Sequence, residues 1–175
     1  MAVGEGADKP ALIVFGPTAS GKSALAITLA RRLGGTVINA DSMQVYRELR
    51  VLTARPTQEE EALVPHRLYG VRPAAEPSSV AWWRDAALEA MAAAHAQGRI
   101  PILCGGTGLY LTALTQGLAA IPDVGPTART EARALLTELG SAGLHARLAE
   151  ADPATAAQLR PSDGQRIARA WEVWR

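Results

Sequence analysis

The segment Gly16–Ser23, which reads GPTASGKS, constrains the fold of this chain more than any other part of the sequence. It satisfies the spacing G-x-x-x-x-G-K-[ST], in which glycines let the backbone curl so that its N–H groups converge on phosphate oxygens. An apolar run at 11–15 precedes it and a helical stretch to about Leu33 follows, which is the setting that a phosphate-binding loop requires. The sequence therefore predicts a strand, a phosphate loop and a helix in succession.

Further short apolar runs predict a parallel sheet around this unit. Strands are expected at 36–39, at 100–104 and, more weakly, at 67–71, while residues 47–65 are polar and read as irregular. A long helix is predicted at 80–97, with one apolar face, and a shorter one at 109–116. The predicted fold class is α/β, with a P-loop NTPase-like parallel sheet flanked by helices and a small helical insertion.

The second part of the chain is predicted to be helical. Residues 117–128 read as a linker, and helices are expected at 127–139 and 142–150. Asp152 followed by Pro153 is typical of a helix start, and Ser162 with Gln165 forms a capping-box pattern for a last helix. We divide the chain into a P-loop core at 1–116, a helical insertion at 117–150, and a return to the core at 151–175.

Composition excludes several classes of site. Eighteen Lys and Arg against 17 Asp and Glu leave a net charge of +1, so a surface for RNA would have to come from local clustering. Cys104 is the single cysteine, which excludes an intramolecular disulfide or a cysteine-based zinc site. Neither a signal peptide nor an apolar run of membrane-spanning length is present, so we expect a cytoplasmic protein with no membrane partner. We also expect a monomer.

The phosphate loop is typical of nucleotide-binding and ATP-binding proteins, but it does not specify the reaction. In such a loop Lys22 supplies a positive charge and Ser23 a hydroxyl for Mg²⁺. Nucleoside-triphosphate hydrolases usually place an Asp at the end of another apolar strand, whereas the strand at 100–104 runs into Gly105 and Gly106. This difference disfavours an ATPase or GTPase.

Asp41 and Thr107 are the other candidate site residues. Asp41 follows the second strand, and ligands of open parallel sheets bind beyond the carboxyl ends of the strands. Its carboxylate could accept a proton from a substrate amine or hydroxyl, or it could only cap the turn that starts at Ser42. Thr107 lies in the second glycine-rich turn, Gly105–Gly108, where a ligand or a tight structural turn would explain the glycines equally well.

Taken together, these motifs resemble the tRNA dimethylallyltransferase (isopentenyl-tRNA transferase) family, over nearly the whole chain and in the same order. The stretches that carry the resemblance are GPTASGKS at 16–23, ADSMQVYR at 40–47, TARP at 53–56, PHRLYG at 65–70, GRIPILCGGTGLYL at 98–111 and LRPSDGQRIARAWEV at 159–173. The family transfers a dimethylallyl group from dimethylallyl diphosphate to N6 of the adenine beside the tRNA anticodon. The resemblance therefore implies that tRNA and dimethylallyl diphosphate are the partners, and that the helical insertion at 117–150 faces tRNA.

The resemblance also implies roles for individual residues. The phosphate loop (Gly16, Pro17, Thr18, Ala19, Ser20, Gly21, Lys22 and Ser23) would hold the diphosphate, with Mg²⁺ near Ser23. Asp41 would accept the N6 proton, and Thr107 would hydrogen-bond in the adenine or diphosphate region. The residues implied to contact tRNA are Asp41, Ser42, Met43, Gln44, Thr107, Arg129, Gln165, Arg166, Ile167, Ala168 and Arg169.

Members of the family continue well past the position that matches Val173. We therefore expect the last helix of this chain to lack packing partners, with Trp171 and Trp174 partly exposed. Three alternatives to a tRNA-modifying prenyltransferase stay open at this point. They are a P-loop small-molecule kinase, an adenylate isopentenyltransferase that uses a free nucleotide, and a fragment that binds diphosphate or tRNA without turnover.

Overall fold

The structure is a computed structural model that describes residues 9–118 and 124–175. It divides into two compact units, 1–118 and 119–175. The predicted linker falls partly on residues 119–123, which lie outside the described residues. Within the described ranges, no helix is both long and apolar enough to cross a membrane.

The first unit is built on four parallel strands in the order β1-β4-β2-β3. The strands are β1 (Leu12–Phe15), β2 (Gly35–Asn39), β3 (His66–Arg67) and β4 (Ile100–Gly105). The parallel α/β class is thereby confirmed. The weak third strand exists, but it comprises only two residues and begins one residue earlier than predicted.

The described residues of the first unit form four helices, which cover both faces of the sheet. They are α1 (Lys22–Leu33), α2 (Gln58–Leu63), α3 (Val80–Ala96) and α4 (Gly108–Gln116). Residues of α1 form one apolar cluster with Val37 and Ile102, while Trp83 of α3 and Tyr110 of α4 form another with Leu103. Because Ile102 and Leu103 are neighbours in one strand, their side chains reach opposite faces and each helix layer has its own core.

Helix α2 corrects the prediction that residues 47–65 are irregular throughout. The Thr57 hydroxyl accepts a hydrogen bond from the Glu60 backbone N–H, and the Glu60 carboxylate accepts one from the Thr57 N–H. This reciprocal pair is a capping box, which satisfies two backbone donors at a helix start. The helix has no buried residue, so apolar periodicity gave no sign of it.

The second unit is helical, with α5 (Gly125–Ala151), α6 (Pro153–Ala156) and α7 (Gly164–Trp174). Gly140 takes a non-helical conformation inside α5, which separates two helical stretches much as predicted at 127–139 and 142–150. Leu144 and Leu148 of α5 pack with Ile167 of α7 in a third apolar cluster. Residues 151–175 thus share a compact unit with α5, and the insertion at 117–150 stays a prediction.

The C-terminal tryptophans differ from each other in burial. Trp171 is only 7% exposed, so the expectation that it lacks packing partners is wrong, whereas Trp174 is 43% exposed as expected. Trp171 lies in the third cluster, and its indole N–H donates to the Glu131 carboxylate of α5 at 3.3 Å. The core of the second unit therefore already encloses this residue.

The last helix is capped by Asp163 and not by Ser162. The Asp163 carboxylate accepts a hydrogen bond from the Arg166 backbone N–H at 3.2 Å.

We therefore predict that Asp163→Ala lowers the free energy of unfolding of the second unit by about 1 kcal/mol, because a backbone donor loses its partner. Urea unfolding followed by circular dichroism would measure this, with Asp163→Asn and Ser162→Ala expected to cause little change. An equal loss in Ser162→Ala would contradict the assignment of the cap.

Candidate active site

Three sequence motifs meet at the carboxyl ends of neighbouring strands. Phe15 of β1 pairs with Gly105 of β4, and Asn39 of β2 pairs with Cys104 of β4. The segments that follow these strands are the phosphate loop, the second glycine-rich turn and the loop that contains Asp41. Because the strands are parallel and in this register, all three segments emerge at one edge of the sheet.

Two residues of the phosphate loop adopt the left-handed backbone conformation, which favours glycine. Ala19 and Gly21 both have positive φ angles, of 61° and 80°. Gly21 precedes the first residue of α1, so a ligand in the loop faces the N-terminal end of a 12-residue helix. That end carries a partial positive charge and unpaired backbone N–H groups, which suit an anion.

A cavity of about 140 Å³ opens over the phosphate loop. Its lining contains one cationic side chain, Lys22, and one carboxylate, Asp41. The ammonium group of Lys22 donates to the Pro17 carbonyl oxygen at 3.1 Å, which folds the side chain back over the loop. The residues that line the cavity are Thr18, Ala19, Ser20, Gly21, Lys22, Ser23, Asp41, Gln44, Thr53 and Ala54.

The Asp41 side chain both caps a turn and reaches the cavity. One carboxylate oxygen accepts a hydrogen bond from the Met43 backbone N–H at 2.9 Å, as the capping alternative required. Among the hydrogen bonds of the described residues, none uses the other carboxylate oxygen. Since Asp41 also lines the cavity, the two readings of this residue are compatible: one oxygen holds the turn while the other can accept a proton from a ligand.

Thr107, which follows the neighbouring strand β4, forms hydrogen bonds with the loop that contains Asp41. Its hydroxyl oxygen accepts from the Ser42 backbone N–H at 2.9 Å, and its own N–H donates to the Ala40 carbonyl at 3.2 Å. The same hydroxyl donates to the Ser42 hydroxyl at 3.3 Å. Thr107 is not among the residues that line the cavity, so its predicted contact with a ligand stays a prediction.

Thr53 and Ala54 are lining residues that sequence reasoning did not assign. The Gln44 side-chain amide donates to the backbone carbonyls of both, at 2.8 and 3.4 Å, and thereby holds them beside the phosphate loop. The same segment is anchored by Arg55, whose guanidinium donates to the Tyr46 and Arg47 carbonyls at 3.2 Å each. Burial, followed by the charge of Arg50, lowers the pKa of Arg55. The match at TARP (53–56) was the only sequence signal that Thr53 and Ala54 belong to the site.

The remaining predicted tRNA contacts lie in the second unit. Arg166 and Arg169 are exposed on α7, where they form ion pairs with Asp163 at 3.4 Å and with Glu172 at 2.7 Å. Ile167 and Ala168 are buried in the third cluster, so the side chains of this segment that are open to RNA are Gln165, Arg166 and Arg169. Arg129 is exposed on α5.

Cys104 lies beneath the phosphate loop and is buried. Burial raises the pKa of its thiol, against the opposing effects of the Lys22 charge and of hydrogen bonds with Tyr69 and Ser23. A raised pKa leaves less thiolate at a given pH, and burial blocks access, so we predict that iodoacetamide alkylates the native protein at least about 10-fold more slowly than the urea-unfolded chain at pH 8. Mass spectrometry of quenched samples would measure both rates. Equal rates would contradict the burial of Cys104.

Comparisons with known proteins agree with the motifs. A family model described as IPP transferase matches residues 44–175, and one described as isopentenyl transferase matches residues 10–75. A protein named tRNA dimethylallyltransferase from Granulibacter bethesdensis is 73% identical over 168 residues, which is 96% of this chain and 53% of that protein. One of the same name from Gluconobacter oxydans is 66% identical, over 95% of this chain and 50% of that protein.

Solved structures give the same result. A full-length tRNA isopentenylpyrophosphate transferase from Bacillus halodurans has a TM-score of 0.62 and 38% identity, with 94% of this chain and 55% of that chain covered. A eukaryotic dimethylallyltransferase acting on tRNA has a TM-score of 0.78 and 28% identity, with 95% and 41% covered. The chain spans about half the length of the curated relatives it matches. By its sequence and by its fold, this chain belongs to the IPP transferase family.

Proposed function

We propose that this chain takes part in the transfer of a dimethylallyl group from dimethylallyl diphosphate to N6 of the adenine beside the anticodon of tRNA. The observation that carries the proposal is the single cavity in which a phosphate loop and the Asp41 carboxylate face the same space. Relatives of 73% and 66% identity are named for this activity. In this proposal the loop holds the diphosphate of a prenyl donor, which becomes the leaving group.

The reaction needs a stabilised leaving group and an oriented acceptor amine. The bond between the allylic carbon and the diphosphate oxygen breaks, and the bonding pair leaves with pyrophosphate, which Lys22 and the N-terminus of α1 stabilise. The N6 lone pair forms the new carbon–nitrogen bond. The proton that N6 loses passes to the free carboxylate oxygen of Asp41. Holding both reactants in one cavity supplies the orientation that this displacement requires.

Mg²⁺ fits this site as a partner of the diphosphate. The described residues contain no group of three or more His, Cys, Asp or Glu side chains that could enclose a metal ion. Mg²⁺ commonly relies on one or two protein oxygens together with substrate phosphates, and the cavity offers the Ser23 hydroxyl. When bound, the ion would neutralise charge on the diphosphate as it leaves.

The acceptor adenine must leave the stack of the anticodon loop to reach the cavity, at a cost of a few kcal/mol. We propose that the loop Asp41–Gln44 contacts this extruded nucleotide. The exposed side chains of Arg166 and Arg169, three residues apart on α7, are suited to backbone phosphates, and Gln165 and Arg129 would add polar contacts. We also propose that the protein acts as a monomer in the cytoplasm.

The test is transfer of radiolabelled dimethylallyl from its diphosphate to unmodified tRNA, with Mg²⁺ and the 175-residue chain. We expect label to enter tRNA, and we expect Lys22→Ala to abolish transfer and to weaken pyrophosphate binding. Label on free AMP in place of tRNA would assign the chain to nucleotide prenylation. Pyrophosphate binding without transfer would identify a donor-binding part that needs further residues of the longer relatives. ATP-dependent phosphorylation without prenyl transfer would overturn the proposal.

A further inference from the structure

Asn39 is a buried amide that the active-site assignment leaves unexplained. It is the last residue of β2, two positions before Asp41, and its exposed fraction is 0%. A polar side chain is rarely enclosed to this extent unless partners satisfy its hydrogen-bonding groups. The hydrogen bonds of Asn39 therefore show what the residue does.

The Asn39 side chain holds Asp41 by both of its backbone polar groups. The amide oxygen accepts from the Asp41 N–H at 2.9 Å, and the amide nitrogen donates to the Asp41 carbonyl oxygen at 2.9 Å. The second N–H of the amide donates to the Leu68 carbonyl at 3.1 Å, just after β3. One side chain thus ties the backbone of Asp41 to its own strand and to the neighbouring strand.

Asn39 is itself held by the helix layer beneath the sheet. Its backbone carbonyl accepts a hydrogen bond from the Trp83 indole N–H at 2.8 Å. The Trp83 ring is fully buried and stacks on Tyr110, with 4.1 Å between ring centroids and 11° between planes. The support for Asp41 therefore extends from a rigid aromatic pair in the core, through one amide, to the loop.

This arrangement fixes the direction of the carboxylate. With the Asp41 backbone held by Asn39 and one carboxylate oxygen held by the Met43 N–H, little rotation remains for the other oxygen. Thr107 bonds the same two peptide units through the Ala40 carbonyl and the Ser42 N–H, whereas the Asn39 amide bonds the N–H and the carbonyl of Asp41 itself. We propose that Asn39 is a positioning residue, which orients the Asp41 carboxylate so that it can accept the proton of the acceptor amine. This inference rests on the proposed function.

Asn39→Ala and Asn39→Ser test the inference, with Val37→Ala as the matched control. Val37 lies two residues earlier on the same strand and is buried in the α1 cluster, away from the Asp41 loop. All three variants are expected to lower the melting temperature. We expect only the Asn39 variants to lower kcat, by about 10- to 100-fold for Asn39→Ala, because a small misplacement of a reacting group has effects of that size. The KM for dimethylallyl diphosphate should change less than about 3-fold, because the phosphate loop is untouched.

Asn39→Ser should recover part of the lost kcat. A serine hydroxyl can accept from the backbone N–H two residues on, as the Asn39 amide does, but it cannot also reach the Leu68 carbonyl. A purely structural role would make kcat follow the melting temperature across all the variants. Assays are run well below the lowest melting temperature, so that each variant is folded.

Hydrogen exchange supplies a readout that does not depend on turnover. In Asn39→Ala, but not in Val37→Ala, the Asp41 backbone amide should exchange at least about 10-fold faster relative to core amides, as measured by NMR. Equal kcat values for Asn39→Ala and Val37→Ala, or unchanged exchange at Asp41, would overturn the positioning role of Asn39. The proposed function would still stand in that case, provided that the wild type transfers the dimethylallyl group. Absence of both transfer and pyrophosphate binding in the wild type would overturn the proposed function as well.

Discussion

Asp41→Asn is expected to lower the rate of dimethylallyl transfer by about 100- to 10,000-fold, which is the usual contribution of a positioned proton acceptor. The substitution keeps the size of the side chain and one oxygen that can still accept from the Met43 N–H, so the turn should persist. What it removes is the oxygen that can take a proton in the cavity, since an amide group does not serve as a base. The loss should therefore appear in kcat and not in the folding of the loop.

Pyrophosphate binding separates this effect from damage to the phosphate loop. Asp41→Asn should leave the affinity for pyrophosphate unchanged or slightly raised, because a negative charge leaves the cavity. Lys22→Ala should weaken it by about 10- to 100-fold, since it removes a charge-assisted hydrogen bond. Titration calorimetry measures both affinities. Glu89→Gln makes the same chemical change on an exposed face of α3 and should alter neither quantity.

A transfer rate in Asp41→Asn within about 3-fold of the wild type would contradict the role of Asp41 as proton acceptor. A parallel loss of transfer and of pyrophosphate affinity would mean that the substitution disturbed the phosphate loop. The measurement of kcat at saturating donor, alongside the melting temperature, distinguishes these results.

The parts of the fold and site that were predicted from sequence are those set by local rules. A phosphate loop between an apolar run and a helix leaves few alternatives, and the carboxyl ends of parallel strands must share an edge. The meeting of the phosphate loop with Asp41 in one cavity therefore agrees with what the motifs predicted. The two glycine-rich turns at Gly16 and Gly105 are likewise neighbours because β1 and β4 pair directly.

What was missed depends on partners far away in sequence. Asn39 looks like an ordinary strand residue until Leu68 and Trp83 are placed around it. Similarly, Arg55 reads as a surface arginine, yet its guanidinium is enclosed by the carbonyls of Tyr46 and Arg47. Hydrophobic periodicity does not predict such contacts, because they form only when separate loops fold together.

Two other errors were local and have local causes. Helix α2 has no buried face, and its one sequence signal, Thr57 followed three residues later by Glu60, lies in a polar segment without apolar periodicity. At α7, Ser162 and Asp163 are adjacent residues of which either can cap a helix, so the pattern fixed the cap only to within one position. The burial of Trp171, by contrast, depends on side chains of α5 that are distant in sequence, so local patterns did not predict it.

Gly105→Ala is expected to destabilise the first unit by about 3 kcal/mol or more, a lowering of the melting temperature of about 6–12 °C. A Cβ atom at Gly105 would collide with the carbonyl group of Ala40. That backbone cannot easily move aside, because the Ala40 N–H donates to the Cys104 carbonyl at 2.8 Å and the Ala40 carbonyl accepts from the Thr107 N–H. The required shift would therefore break the hydrogen bonds that join the ends of β2 and β4.

The same close approach places Asp41 beside the phosphate loop, so Gly105→Ala tests the geometry of the site as well as the stability of the sheet. Gly108→Ala is the matched control: apart from chain neighbours and the backbone of its own helix, no heavy atom of the described residues lies within 4 Å of its added Cβ, and Gly108 is the first residue of α4, where alanine is preferred to glycine. Its melting temperature should stay the same or rise slightly. Thermal unfolding followed by circular dichroism compares the two variants.

A melting temperature of Gly105→Ala equal to that of Gly108→Ala would mean that the end of β4 and the Asp41 loop are farther apart than in this structure. Because β4 lies between β1 and β2, the phosphate loop and Asp41 would then also lie farther apart than one cavity for the diphosphate and the acceptor amine allows.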